Sequence, residues 1–154
     1  MKTALKAELL EVLTATLAAL ERAHADTSAG ATHAEAKPEN DKDTRALEAS
    51  YLARGQAMRI EELKLGRSAL ERLELSDLAG KTVSLGALVE AEEDEDTLRF
   101  FVAPEGGGTR LKGGVQVVTP RSPLGQALVG RREGDELELK LAGKTRTLVI
   151  TLVR

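Results

Sequence analysis

The chain has 154 residues, of which 31% are charged, and its formal net charge is −3. This balance lacks the strongly basic surface through which proteins neutralise nucleic-acid phosphates, so we expect no direct binding to DNA. The absence of cysteine excludes disulfides, thiol nucleophiles and cysteine-ligated zinc, and it favours a reducing compartment such as the cytoplasm.

The first twenty residues have an early lysine followed by apolar side chains, as a signal peptide does. Glu8 and Glu11 fall inside what would be its hydrophobic region, so we expect no export signal. No run of about 18 apolar residues occurs, which predicts that no segment spans a membrane. The apolar residues instead recur at steps of three and four, which predicts one face of a helix: Leu5, Leu9, Val12 or Leu13, Thr16 or Leu17, and Leu20.

This apolar face is narrow, and a narrow seam is typical of a coiled-coil arm that needs a partner helix. A second helix, predicted from Asp43 as N-cap to about Leu75, supplies the partner. We expect the first helix to fray between Asp26 and Gly30. The second helix contains Leu47, Tyr51, Leu52, Met58, Ile60, Leu63, Leu65, Leu70 and Leu73, with Tyr51 and Met58 assigned to the seam and Arg45, Arg54 and Arg59 outside it.

Between the two helices lies an acidic segment, KPENDKD, which contains a proline and no apolar side chain. Such a segment cannot form part of a core. If the helices fold back on each other, the segment becomes the tip of a hairpin, where Glu39, Asp41 and Asp43 concentrate negative charge. We therefore predict a helical hairpin over residues 1–76 with an acidic tip at about residues 35–43.

The pattern changes after Ser76, where short β-branched or alternating runs separated by glycine turns predict about five strands: KTVSLGALVE, TLRFFVA, VQVVT, DELELKL and TRTLVITLV. The segment SPLGQALVG predicts one short helix, with Ser122 as N-cap, Pro123 in its first turn and Gly130 after its end. Leu124, Leu128 and Val129 are its expected core contacts. Residues 77–154 thus form a small, mainly antiparallel sheet with one helix, and the fold class is α+β.

Two other clusters of polar residues invite a metal-site interpretation. The run from Glu90 to Asp96 lies between two predicted strands and lacks the spacing of a calcium loop, so we interpret it as a solvated hairpin turn. His24 and His33 are too isolated to predict a zinc site.

The hairpin with an acidic tip, followed by TPRSPLGQALVGRREGD at residues 119–135, resembles the bacterial Gre transcript-cleavage factors. The dipeptide Glu39-Asn40 and the segment DTRALEASYLARGQAMRIEEL resemble a divergent Gre-like branch of that family. The resemblance implies a monomer that docks its C-terminal domain on RNA polymerase and inserts the hairpin into the secondary channel, near the 3′ end of the nascent RNA. It also implies a set of docking residues: Ser122, Pro123, Leu124, Arg131 and Arg132.

In Gre factors a carboxylate at the tip helps to hold a second Mg²⁺ in the polymerase active site, so that the polymerase cleaves backtracked RNA. Magnesium accepts one or two carboxylates and keeps several waters, which fits the residue types of this tip. The resemblance thus assigns Glu39 and Asp41 as metal-orienting residues with Asn40 in support. It implies that the chain has no cofactor of its own and is not itself an enzyme.

The tip departs from the family pattern at one position. The usual tip has an aspartate three residues before the glutamate of Glu39-Asn40, and this chain has Ala36 there. Either Glu35, Asp41 or Asp43 substitutes, or the hairpin occupies the channel without supporting cleavage. The second alternative describes a binding-only regulator of the polymerase.

Two further possibilities follow from the architecture. The Gre C-terminal domain is similar to FKBP-type peptidyl-prolyl isomerases, but those enzymes bind proline among several aromatic rings. Phe100 and Phe101 are adjacent and therefore predicted on opposite faces of one strand, which argues against isomerase activity. A coiled-coil adaptor unrelated to transcription is the remaining alternative.

Overall fold

The computed structural model describes residues 1–36 and 45–154, and among these the side chains of residues 30–36 and 46 are not described. The chain divides into two compact units, one formed by Met1–Glu11 with Ser68–Arg154 and the other by Val12–Arg67. No helix in the described ranges combines the length and the apolarity that a bilayer span requires. The predicted domain boundary between residues 76 and 77 stays a prediction.

Two long helices form the N-terminal part of the chain, α1 at Lys2–Ala36 and α2 at Arg45–Arg72. Arg67 Nε donates to Thr14 Oγ1 at 2.8 Å, and Lys64 Nζ lies 3.9 Å from a carboxylate oxygen of Glu21. A residue later in α1 therefore contacts a residue earlier in α2, so the two helices are antiparallel. The predicted helical hairpin is confirmed.

The buried residues of the hairpin form an aliphatic seam, as the narrow apolar pattern of α1 predicts. Within the unit Val12–Arg67, Leu13, Ile60 and Leu63 are at most 5% exposed. In the other unit, Leu5, Leu9 and Leu70 are buried. Gly55 and Gly66 both lie within α2, so neither ends the helix.

Both helices end at positions that differ from the prediction. Helix α1 continues through Asp26–Gly30 to Ala36, a stretch whose alanines favour a helix. Thr27 Oγ1 donates to Ala23 O at 2.9 Å, within the same helix. Helix α2 ends at Arg72 rather than at Leu75. Lys6 Nζ donates to the carbonyl oxygens of Glu71 and Leu73 at 2.9 and 2.8 Å, which satisfies carbonyl groups that a helix end leaves unpaired. The predicted N-cap, Asp43, lies outside the described residues.

The assignment of Tyr51 and Met58 to the seam is wrong. They are 60% and 62% exposed, and Leu65 is 71% exposed. At 3.6 residues per turn, Tyr51 and Met58 lie on the side of α2 opposite Ile60 and Leu63. The second helix therefore carries two apolar stripes, and only one of them faces α1.

The C-terminal part is a six-stranded sheet with a short helix, which confirms the predicted α+β class. Strand order is β3-β4-β2-β1-β6-β5, and all neighbouring pairs are antiparallel except β2 with β4. Phe100 and Phe101 are both buried, on opposite faces of β2 as the sequence predicts. The elements are β1 at Leu88–Glu93, β2 at Asp96–Val102, β3 at Arg110–Leu111, β4 at Val115–Val118, α3 at Pro123–Leu128, β5 at Glu136–Leu141 and β6 at Lys144–Val153.

One face of the sheet carries the main core, where Leu128 of α3 packs with Val89, Phe100, Leu148 and Ile150. Leu124 packs against this core, as expected. Val129, in contrast, is 39% exposed, because α3 ends at Leu128 and the chain turns away.

The first predicted strand is only partly correct. Residues 81–87 are not in a strand, and β1 begins at Leu88. Gly86 has a φ of +87°, which no extended strand accommodates, and Val83 is held by backbone hydrogen bonds to Gly130 and Arg131 instead of by a neighbouring strand. The two-residue strand β3 was too short to be predicted from its pattern.

The acidic run Glu90–Asp96 is mostly strand rather than turn. Glu90–Glu93 belong to β1, and only Asp94 and Glu95 form the turn. Glu93 accepts two hydrogen bonds from Arg146 of β6, at 2.6 and 3.0 Å. These hydrogen bonds, together with the charge of Arg146, hold the pKa of the Glu93 carboxyl below its ordinary value. The run therefore contributes an ion pair across the sheet.

The buried seam predicts a large cost for truncation of Leu63, which is 0% exposed. Leu63→Ala should lower the free energy of unfolding by about 2–5 kcal/mol, because the substitution removes buried methyl groups and leaves a cavity. The loss is measured by denaturant unfolding followed through the helical circular dichroism signal. Leu52→Ala is the matched control, since Leu52 is 56% exposed on the same helix. Equal losses in the two variants would contradict the seam.

The Glu93–Arg146 pair predicts a pH-dependent contribution to stability. Because the folded-state pKa of Glu93 is lowered, the contribution is present above the ordinary glutamate pKa of about 4.3 and is lost as the pH falls through the folded-state value. Glu93→Gln should therefore lower stability at neutral pH and flatten its decline in acid, modestly because the pair is partly exposed. Glu92→Gln, on the opposite face of β1, should leave the acid profile unchanged; an unchanged profile for Glu93→Gln would contradict the prediction.

Candidate functional site

The predicted acidic tip lies almost wholly outside the described residues. Glu39, Asn40, Asp41 and Asp43 fall in the range 37–44, and Glu35 lies in the last turn of α1 without a described side chain. Their assignment as metal-orienting residues stays a prediction. The part of the candidate site that can be built from its geometry is the predicted docking segment around α3.

Ser122 organises the start of α3. Its hydroxyl oxygen accepts a hydrogen bond from the backbone N–H of Gly125 at 3.0 Å and donates to Thr119 O at 2.8 Å. Ser122 has extended φ and ψ angles, and Pro123 follows at the first helical position, where the missing N–H has no helical partner to lose. The Ser-Pro pair therefore fixes both the start and the direction of the helix.

Gly125 is required by a close approach of two backbones. A Cβ atom at this position would lie 1.8 Å from the carbonyl oxygen of Thr119, which no side chain can accommodate. Glycine thus allows the turn at Thr119–Ser122 to pack directly on the first turn of α3. This contact explains physically why a glycine follows Ser-Pro-Leu in the motif.

A buried carboxylate supports the same turn. The side chain of Glu105 is 7% exposed, and its carboxylate lies 3.4 Å from the guanidinium of Arg121, which precedes the Ser-Pro pair. Glu105 was not predicted from the sequence, because it precedes a glycine-rich turn where no periodic pattern distinguishes a buried residue from a solvated one. Its contact with Arg121 joins residues 16 positions apart.

The segment after α3 is fixed through its backbone, which leaves its cationic side chains exposed. Arg131 O accepts from the N–H of Val83 at 2.8 Å, and the N–H of Arg132 donates to a carboxylate oxygen of Asp135 at 2.8 Å. The side chains of Arg131 and Arg132 are exposed. The glycine-aspartate turn therefore positions two arginines at the end of α3.

The predicted docking residues fall into two groups. Ser122 and Leu124 are used inside the fold, in the cap and against the core. Pro123, Arg131 and Arg132 are exposed. Arg121 before α3, whose guanidinium pairs with Glu105, is a third exposed cationic side chain in this region.

The structure offers no obvious metal centre in the ranges that it describes. Among these residues, no group of three or more His, Asp or Glu side chains could hold an ion. His24 lies near Ser28, with its Nε2 3.5 Å from the hydroxyl oxygen.

The cap predicts a measurable loss when the Ser122 hydroxyl is removed. Ser122→Ala should lower the free energy of unfolding by about 0.5–2 kcal/mol, because the N–H of Gly125 loses its acceptor. Ser122→Thr retains a hydroxyl and should recover most of the loss. Denaturant unfolding measures both variants, and an alanine variant as stable as the original chain would contradict the capping role.

Comparisons with known proteins agree with this geometry. A sequence profile described as "Transcription elongation factor, GreA/GreB, C-term" matches residues 78–154, half of the chain. The transcription elongation factor GreA of Rhodospirillum rubrum is 36% identical over 100 residues, which cover 62% of this chain and 60% of that protein. GreA of Phenylobacterium zucineum is 30% identical over 117 residues, which cover 75% of this chain and 71% of that protein.

Among solved structures, GreA factor homolog 1 (Gfh1) of Thermus thermophilus is similar at 23% identity, with 94% of each chain covered and a TM-score of 0.42. The matched residues span less than two thirds of the Rhodospirillum protein. The profile match includes β1 to β6 and the α3 segment whose cap and glycine contact are described above. The chain therefore belongs to the GreA/GreB family of transcription elongation factors.

Proposed function

We propose that this chain binds RNA polymerase as a transcription elongation factor and stimulates the polymerase's own cleavage of backtracked RNA. The observation that carries the proposal is the family match over residues 78–154, which includes α3 and the exposed arginines beside it. The hairpin of α1 and α2 then presents its tip to the polymerase active site through the secondary channel. In this scheme the chain has no active site of its own.

Docking is proposed to use the exposed cationic surface at the ends of α3. Arg131 and Arg132 carry charges that an acidic patch on the polymerase can pair with, and exposed Pro123 adds an apolar contact. Ser122 and Leu124 act indirectly, by holding α3 in place. Charge complementarity of this kind raises the rate of association and selects the partner more than it adds affinity.

The tip is proposed to act through carboxylate oxygens. Glu39 is the principal residue and Asp41 its helper, with Asn40 as a hydrogen-bonding neighbour and Glu35 and Asp43 adding negative charge. Carboxylates are hard ligands that suit Mg²⁺, which in this proposal belongs to the polymerase. The role of the tip is to place and orient charge, and the bound metal supplies Lewis-acid activation of a water.

A binding-only regulator is the second candidate. The observation in its favour is Ala36, which stands where the family pattern has an aspartate and which lies within α1. A methyl group cannot ligate a metal. In this alternative the hairpin occupies the secondary channel and changes the access of nucleotides without promoting RNA release.

An RNA-release assay separates the two candidates. Polymerase stalled on a backtracked scaffold should release short 3′ RNA fragments faster when the protein is added. The double variant Glu39→Ala, Asp41→Ala should bind the polymerase equally well and lose the stimulation by at least about tenfold, because the metal-orienting oxygens are gone. Glu92→Ala, Glu95→Ala removes the same number of exposed carboxylates from the sheet and should retain full stimulation.

Two outcomes would overturn the first candidate. Full stimulation by the Glu39, Asp41 variant would remove those residues from the mechanism, and polymerase binding without RNA release by the original chain would favour the binding-only regulator. The double variant Arg131→Ala, Arg132→Ala tests docking independently. It should weaken binding while leaving RNA release intact at saturating protein.

A further inference from the structure

The face of α2 that points away from α1 carries an unpartnered apolar stripe. We define the outer stripe as Leu47, Tyr51, Arg54, Met58, Glu61 and Leu65. These residues are spaced by four, three, four, three and four positions, which is the heptad spacing of a coiled-coil seam. Its four apolar members are among the most exposed large hydrophobic residues of the described chain, at 53%, 60%, 62% and 71%.

Within the part of the hairpin that the structure describes, α1 does not cover the outer stripe. At 3.6 residues per turn, its apolar members lie within about 40° of one another around the helix axis and nearly opposite Ile60 and Leu63, which face α1. A sustained apolar stripe of this kind on a soluble helix marks an interaction surface.

We propose that the outer stripe binds the outer stripe of a second copy of this chain, with the two α2 helices antiparallel. In the register that aligns the ends of both stripes, Leu47 of one copy faces Leu65 of the other. The same register places Arg54 opposite Met58 and Tyr51 opposite Glu61. Every member of the stripe then meets another member, so the surface is complementary to itself, as a two-fold interface requires.

The charges of the stripe select the antiparallel orientation. A parallel pair would place Arg54 against Arg54 and Glu61 against Glu61, and like charges in a seam repel. In the antiparallel pair Arg54 lies one step along the seam from Glu61 of the second copy.

Part of this arrangement already exists in the single chain. The Arg54 guanidinium carbon lies 5.8 Å from the centre of the Tyr51 ring, so the two side chains form one amphipathic surface. Lys64 is 3.5 Å from Glu61, an exposed pair that is weak enough to exchange for contacts between copies. Because two of the six members are charged, we expect the dimer to be weak and reversible.

Sedimentation equilibrium of the full chain tests the proposal without any polymerase. The protein should shift from monomer to dimer as its concentration rises from about 1 µM to about 1 mM. Met58→Lys should lower the association constant at least about tenfold, because it buries a charge against Arg54 of the second copy. Leu52→Lys is the matched control: Leu52 is 56% exposed on the same helix but lies outside the stripe, and this variant should associate like the original chain.

Cysteine cross-linking tests the orientation, since the chain has no cysteine of its own. Leu47→Cys and Leu65→Cys variants are mixed in a glutathione redox buffer, and the antiparallel register predicts that the mixed disulfide predominates over both symmetric ones. Arg54→Glu and Glu61→Arg should each weaken association, and the double variant should restore it. Symmetric disulfides, a chain that stays monomeric throughout, or equal effects of Met58→Lys and Leu52→Lys would each overturn the proposal.

Discussion

The pairing of α1 with α2 through an aliphatic seam is the constraint on which the hairpin depends. Neither helix could remain stable alone with one apolar face exposed, and the segment between them, KPENDKD, offers no apolar side chain to stabilise it. Leu13, Ile60 and Leu63 bury the apolar surface between the helices. At the edge of the pair, hydrogen bonds such as Arg67–Thr14 help to fix which residues of the two helices lie side by side. Any role for a tip at residues 35–43 therefore depends on side chains that lie far from it in the sequence.

In the sheet unit, backbone contacts fix the segments around α3, and several of the side chains there remain exposed. Gly125 lets the Thr119–Ser122 turn touch α3, and buried Glu105 holds Arg121 beside it. Arg131 and Arg132 are fixed through their backbone groups while their side chains stay exposed, and Arg132 Nη1 also donates to Gly80 O at 3.5 Å. The family motif around α3 is thus largely a motif of folding, and exposed arginines lie on either side of it.

The charged side chains of this chain have different roles, and their exposure distinguishes these roles. The Glu93–Arg146 pair joins two strands and lowers the pKa of its carboxyl, whereas the exposed ion pairs of α2 contribute little to stability. On the outer stripe, Arg54 and Glu61 interrupt an apolar row, which makes association weaker but more selective. A single helix can therefore combine a permanent seam on one side with a reversible contact surface on the other.

By itself the sequence determined what depends on local pattern: two long helices, the Ser122 cap, the short α3, the α+β class and the resemblance to Gre factors. Contacts between distant residues decided the rest. Both apolar stripes of α2 have helical spacing, and only the position of α1 shows that Ile60 and Leu63 are buried while Tyr51 and Met58 are exposed. In the same way, pairing with Asp96 makes Glu93 a strand residue, and the side chain of Glu105 is buried although glycines follow it in the sequence. A periodic pattern shows that one face of a helix is apolar, but only the tertiary structure shows which residues cover that face.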